Sequence, residues 1–382
     1  VEIVKNYPRS YQYLGVDIIP MTDDSVERYF FGDVPKDNNK LLAEVRQKHL
    51  ETSMICLEIA FNEVEIWKPD IIMGSMLVYS AWEPFYRVSQ LKNIRFSLVS
   101  TTTFNYKAVV LNRNDLFFSQ KRYESWLAER KKKSLSKEET KKLENFMFFR
   151  HSGSDRFFKE YDVYKKENVA FRLNINPKKR NLFLFSNMHW DAGLTRLKES
   201  LYPDVVSWVV DTIRLVGNRE DCHLFIKPHP WEFFDKNKPK VGVMSLVREE
   251  IPSMPTNVTI IEAELKINPY DLFQYIDIGL VYNGTLGLEM LQNGKKVICT
   301  GLSGYGKLRS VCEPKSKEEY ERYLLGLASM PKLNKREIEM YSYFYFIKSC
   351  IPWTLTENAF AHAFRGFKFK SLDDLLPKNN KY

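Results

Sequence analysis

One stretch, Tyr275 to Thr300, narrows the choice of folds more than any other: Y-I-D-I-G-L-V-Y-N-G-T-L-G-L-E-M-L-Q-N-G-K-K-V-I-C-T. Ile276 to Tyr282 is an apolar run of the kind found in a buried strand. Asn283-Gly284-Thr285 is a turn, Leu286 to Gln292 a short helix, and Asn293-Gly294 its stop; Val297 to Thr300 is the next strand. Strand–turn–helix–strand is the repeating unit of a doubly wound α/β domain. Ligands of such domains bind where strands end and helices begin, because the N–H groups there face the crevice. Gly284 would let backbone approach an anion, and Glu289 lies one helical turn further in. The expectation is a nucleotide-binding cleft; an ordinary buried βαβ unit has the same pattern.

The chain has 382 residues, enough for two domains of ordinary size. It opens on Val1 and not on Met, the start expected of a piece of a longer protein. Val1 to Lys40 reads as turn-rich and acidic, with a short strand at Tyr13 to Ile19. Leu41 to Trp67 is a long amphipathic helix, followed by a strand at Ile71 to Met76, a helix at Ser80 to Leu91 and a strand at Ile94 to Ser100. That order predicts a parallel sheet covered on both faces. Asp115 to Phe149 is helical and charged, and Ser136 with Glu139 forms a capping box. An irregular linker then runs to Lys179. A second alternating set begins with the strand Asn181 to Ser186. It continues through the helix Val205 to Val216 and the strands His223 to Lys227 and Val258 to Ile261. A short helix, Pro269 to Tyr275, leads into the Tyr275–Thr300 unit, and helices at Lys317 to Leu327 and Lys335 to Cys350 follow it. The predicted domains are 1–175, 176–353 and a basic tail, 354–382. The expected site is a central cleft between two doubly wound halves.

The charge balance bears on the ligand. The formal net charge is +9, with local excess at Lys131-Lys132-Lys133, Lys178-Lys179-Arg180, Lys236 to Lys240 and the tail. A basic surface suits an anionic ligand or anionic lipid headgroups, and is also an ordinary solvated surface. No zinc motif, helix-turn-helix or RNA-recognition signature is present, so no nucleic-acid partner is expected. No apolar run approaches the roughly 18–20 residues of a membrane span. The five cysteines (56, 222, 299, 312 and 350) form no CxxC, which is reducing-compartment usage.

Three strand ends of the second half carry polar groups that a parallel sheet would align along one edge. The first leads to His189 and Asp191, the second to Lys227 and His229, and the fourth to Asn283-Gly284-Thr285. His229, held between Pro228 and Pro230, could donate to a phosphate or to a leaving-group oxygen, or could be structural. The backbone from Gly284 to Leu286 could hold phosphates. Glu289 could accept from ribose hydroxyls, or face solvent. Asp191 is a candidate nucleophile, base or electrostatic stabiliser, or else a helix cap. No P-loop, GxGxxG, HExxH or GxSxG is present, which argues against P-loop kinases, dehydrogenases, zincins and α/β-hydrolases.

With these residues on the page, the order N-x-x-W-D-A, F-I-K-P-H-P-W-E, V-Y-N-G-T-L-G-L-E-M-L-Q-N-G-K-K-V-I-C-T-G and G-Y-G-K resembles the bacterial capsule polysaccharide biosynthesis proteins. That family is similar to the Kdo and sialic-acid transferases of GT-B fold. The resemblance covers about Asn181 to Trp353. Two departures stand out: Asn283-Gly284-Thr285 replaces a Ser-Ser or Ser-Thr turn, and Lys296 replaces the usual proline. The resemblance implies a GT-B-like α/β enzyme with two Rossmann-like domains, a glycosyltransferase whose second domain binds a nucleotide-sugar donor. Lys227, His229, Pro230, Asn283, Gly284, Thr285, Leu286, Glu289, Tyr305 and Lys307 would form the donor site, with Asp191 and His229 in catalytic roles. No cofactor and no metal are expected. A CMP-activated acidic sugar such as Kdo is the favoured donor, and a surface oligosaccharide or lipid-linked chain the acceptor. The expected location is the cytoplasm, with the inner, anionic face of the membrane as a docking surface. The alternatives are a UDP- or GDP-hexose transferase, a nucleotide-sugar epimerase, and a non-catalytic subunit of a polysaccharide assembly complex.

Overall fold

The computed structural model describes residues 7–36, 39–101, 108–113, 120–131, 133–152, 166–191, 200–232, 241–262, 265, 267–301 and 303–352. Its strands, in chain order, are β1 (Gln12–Tyr13), β2 (Val16–Asp17), β3 (Ile71–Gly74), β4 (Arg95–Thr101), β5 (Ala108–Arg113), β6 (Arg180–Phe185), β7 (Cys222–Lys227), β8 (Val258–Ile260), β9 (Ile278–Val281), β10 (Lys296–Cys299) and β11 (Cys350–Pro352). The described residues within Asp23–Arg46 and Ser134–Ser342 form one compact unit; those within Val1–Thr22, Gln47–Lys133 and Tyr343–Tyr382 form another.

The first of these units is built on a five-stranded sheet ordered β10-β9-β6-β7-β8, parallel throughout. All six residues of β6 pair with β7, from Arg180 opposite Cys222 to Phe185 opposite Lys227. The strands are apolar on both faces because helices cover both. Helix Val205–Val216 shows how the sequence arranges this. Trp208, Val209, Thr212, Ile213 and Val216 recur at helical spacing and are buried. Asp204 caps its start by accepting from the Ser207 N–H at 2.6 Å, and Gly217 follows its end. Its buried stripe shares one core with Leu182, Leu184, Leu224, Ile226 and Leu280 of the sheet. Fully burying each such side chain contributes about 1.5–3 kcal/mol.

The other unit carries a four-stranded sheet ordered β11-β5-β4-β3. The sequence pattern predicts a parallel sheet here, and β3 and β4 are parallel, but β4–β5 and β5–β11 are antiparallel. The α/β class stands, with one parallel sheet and one mixed sheet. Strand β5 was not foreseen, and neither was helix Ile19–Phe30, where a turn-rich stretch was expected. That helix follows from Ile19, Thr22, Val26 and Phe30, spaced three, four and four apart. Ile19 and Val26 are buried, and the Asp23-Asp24 pair that suggested a turn falls on its other side. The domain boundary expected near residue 175 lies inside the parallel-sheet unit. Long-range packing by helix Lys137–His151, described below, draws the earlier segment into it. The helix expected to reach Cys350 ends at Tyr343 and passes through a wide turn, Phe344–Lys348, into β11. Tyr341, Phe344 and Phe346 are buried, as an aromatic core run should be. The basic tail lies outside the described residues. Among the described residues no helix is long and apolar enough to cross a membrane.

Candidate functional site

In chain order the five parallel strands are β6 to β10, but across the sheet the order is β10-β9-β6-β7-β8. The connections therefore run outward in both directions from β6, and the winding reverses between β6 and β9. In open parallel sheets the crevice at such a reversal, outside the carboxyl ends of the strands, is where ligands bind. The loop after β6 contains Asn187 to Asp191, and the turn after β9 contains Asn283 to Leu286. The two meet across the reversal: the Asn187 side-chain amide donates to Asn283 Oδ1 at 3.3 Å. The strand ends expected to align along one edge do so.

The Asn283–Leu286 turn is half-buried, and its N–H groups from Gly284 to Leu286 meet no acceptor among the described residues. Thr285 stands at the helix N-cap, yet its hydroxyl makes no capping bond. A Cβ added at Gly284 would meet nothing within 4 Å. Neither packing nor a positive φ demands glycine there, whereas close approach of a ligand to the backbone would. The turn is braced from behind. The buried Tyr305 hydroxyl donates to the Gly284 carbonyl at 2.6 Å, and a Cβ at Gly287 would stand 2.1 Å from that hydroxyl. Tyr305 is thus a strut of the turn, while Lys307 is exposed. Helix Leu286–Gln292 ends at Asn293 and Gly294, the latter at φ +72°, as the Asn-Gly stop predicts.

At the end of β7, Lys227 is buried and its ammonium is pushed down to about 8 by burial. His229 is half-buried, and burial pushes its imidazole down to about 4, so the ring is neutral at pH 7. Pro230 begins a single tight turn, Pro230–Glu232. Glu232 was not singled out in the sequence. It is buried, its carboxyl is pushed up to about 7, and its Oε2 accepts from the Val243 N–H at 3.1 Å. Gly242, which has no capping side chain, makes room for it: a Cβ there would stand 2.7 Å from Oε2. Oε1 is buried without a partner among the described residues.

Glu289 is placed differently from the expectation. It faces neither solvent nor an open crevice: it is fully buried, and its Oε1 accepts from the Arg150 guanidinium at 2.9 Å. Arg150 comes from helix Lys137–His151 and is itself buried. The His151 ring beside it packs against Tyr270, with centroids 4.4 Å apart and the planes tilted at 37°. No local signal announces a pair separated by 139 residues. Asp191 is half-buried and follows Trp190, which is 1% exposed. Among the described residues no cluster of three or more His, Cys, Asp or Glu side chains is arranged to hold a metal ion.

No protein-family model matches the chain, and no curated protein matches it by sequence. Shape comparison aligns the chain with several solved structures. The chain is similar to Kdo transferases. Thermosulfurimonas dismutans KpsC, described as a β-Kdo 2,4 transferase, aligns at 13% identity and TM-score 0.44, over 72% of this chain and 78% of that one. The β-Kdo 2,7 transferase KpsC of the same organism aligns at 15% identity and TM-score 0.41, over 72% and 74%. A UDP-GlcNAc 2-epimerase from Neisseria meningitidis, bound to UDP-GlcNAc, aligns at 12% identity and TM-score 0.27, over 83% and 78%.

Proposed function

We propose that the chain is a glycosyltransferase of GT-B type whose parallel-sheet unit binds a nucleotide-sugar donor at the carboxyl edge of β6, β7 and β9. The observation that carries this reading is the winding reversal between β6 and β9, with an open glycine turn and free amides on one side and the Asp191 loop on the other. Unpaired amides from Gly284 to Leu286 would receive the donor's phosphates. Neutral His229 would hydrogen-bond the phosphate or nucleotide, and buried Lys227 would offset its charge. Asp191 would act on the sugar carbon as nucleophile or electrostatic stabiliser. The favoured donor is a CMP-activated acidic sugar such as Kdo, and the favoured acceptor a growing surface polysaccharide, met in the cytoplasm or at the inner membrane face. No cofactor or metal enters this reading.

A second reading, epimerisation of a free nucleotide sugar, is favoured by Glu232: a carboxyl that titrates near 7 is suited to moving a proton at neutral pH. Product analysis without acceptor separates the two. The test of the donor site is calorimetric binding of CMP, UDP, GDP and dTDP to the wild type and to His229→Ala. We expect CMP to bind selectively and the variant to lose at least ten-fold in affinity. Selective UDP or GDP binding would overturn the donor, and no binding by any nucleotide would overturn the site.

A further inference from the structure

The residues before Asp191 are held by a segment far away in sequence. Helix Ile19–Phe30 ends in a turn whose Gly32 N–H donates to the Glu27 carbonyl at 2.9 Å and whose Phe31 N–H donates to the Arg28 carbonyl at 3.3 Å. This is the pattern that normally places glycine at the first residue past the helix. Here that residue is Phe31, in the left-handed region at φ +51°, a conformation unfavourable for a bulky side chain. Its ring meets Trp190 edge to face, with centroids 5.3 Å apart at 84°. Arg28, one turn back, lays its guanidinium over the same indole at 5.0 Å. Gly32 completes the set. Its φ is +80°, and a Cβ there would stand 2.1 Å from Nε2 of His189, so the imidazole packs directly on the backbone. The Trp190 indole N–H is buried with no acceptor among the described residues, so ring contacts and not that hydrogen bond hold it.

We infer that Arg28, Phe31 and Gly32 are positioning residues: they fix His189 and Trp190 and so set where the Asp191 carboxylate stands. A backbone strain retained at Phe31, where glycine would relieve it, points to a device kept for what its ring touches. This inference rests on the reading of the Asn187–Asp191 loop as part of the donor site.

The test uses the full chain labelled with 5-fluorotryptophan, the Trp190 fluorine line being assigned with Trp190→Phe. Arg28→Ala, Phe31→Gly and Phe31→Tyr are compared with wild type for that line, for CMP affinity by calorimetry, and for CMP release from CMP-Kdo at saturation. We expect Arg28→Ala and Phe31→Gly to displace and broaden the line and to lower kcat ten-fold or more, with CMP affinity within two-fold of wild type. Phe31→Tyr should behave as wild type. A line that does not move overturns the inference, as does a displaced line with kcat intact, or a loss of CMP binding equal to the loss of kcat. A wild type that binds no nucleotide sinks the donor-site reading instead, and the fluorine line alone then decides whether this turn holds the loop.

Discussion

Replacing Glu232 by glutamine should stabilise the protein, and only above acidic pH. In the unfolded chain the carboxyl titrates near its ordinary value of 4.5; in the folded chain burial holds it at about 7, with the Val243 N–H pulling the other way. Between those values the unfolded chain releases its proton while the folded chain keeps it. Folding stability therefore falls as pH rises from about 4.5 to about 7, and the loss persists above 7. Some two and a half pH units at about 1.4 kcal/mol each come to about 3.5 kcal/mol. Glutamine is neutral throughout and retains a carbonyl oxygen for the Val243 N–H. The variant and the wild type should thus melt together at pH 4 and separate through neutrality. At roughly 2–4 °C per kcal/mol, the gap at pH 8 should approach 10 °C. His229 contributes in the opposite sense, since stability tied to a depressed imidazole rises from about pH 4 to its ordinary 6.5. That trend is common to both proteins and cancels in the difference. Calorimetric melts at half-unit pH intervals are the assay. A gap that does not change with pH, or a wild type that is the more stable at pH 8, refutes the argument.

Arg150→Met or Glu289→Met alone should cost about 3–5 kcal/mol in denaturant melts, because each strands a buried charge, whereas the double variant should lose far less. Additive losses would show that the pair is not energetically coupled. Tyr305→Phe should cost about 1 kcal/mol through the lost bond to the Gly284 carbonyl; with the turn unbraced, CMP affinity should fall several-fold, and unchanged affinity would mean that the turn keeps its shape without the strut.

The elements that reveal themselves in the sequence are those whose determinants are local. Helix Val205–Val216 has its apolar stripe, its Asp204 cap and its Gly217 stop within a few residues. The Ser136–Glu139 capping box forms in both directions, at 3.2 and 2.8 Å. The Tyr275–Thr300 unit folds as read. Helix Val243–Glu250 escapes because its start carries Gly242 and the capping oxygen comes from Glu232, eleven residues back. Strand β5 escapes because its partners, β4 and β11, are antiparallel and β11 lies at the far end of the described chain. At the site, the polar strand ends are legible as residue types and their alignment follows from sheet topology. Glu289 is the opposite case. Its position one turn into a helix suits a carboxylate that meets ribose hydroxyls or faces solvent, and only a distant arginine explains why it is buried instead.

The compact units are not consecutive stretches of chain, and synthesis has to contend with this. Asp23–Arg46 is made well before β6, and Arg150 well before Glu289, yet each settles only against what is translated later. The mixed sheet likewise waits for β11 to close its edge beside β5. Pairings so far apart in sequence slow folding, and they leave apolar surface uncovered on a nascent chain. A fragment beginning near residue 176 would inherit the whole five-stranded sheet but neither Arg150 nor the Phe31 turn. We would expect it to aggregate when expressed alone, and to become soluble when the segments 23–46 and 134–175 are supplied with it.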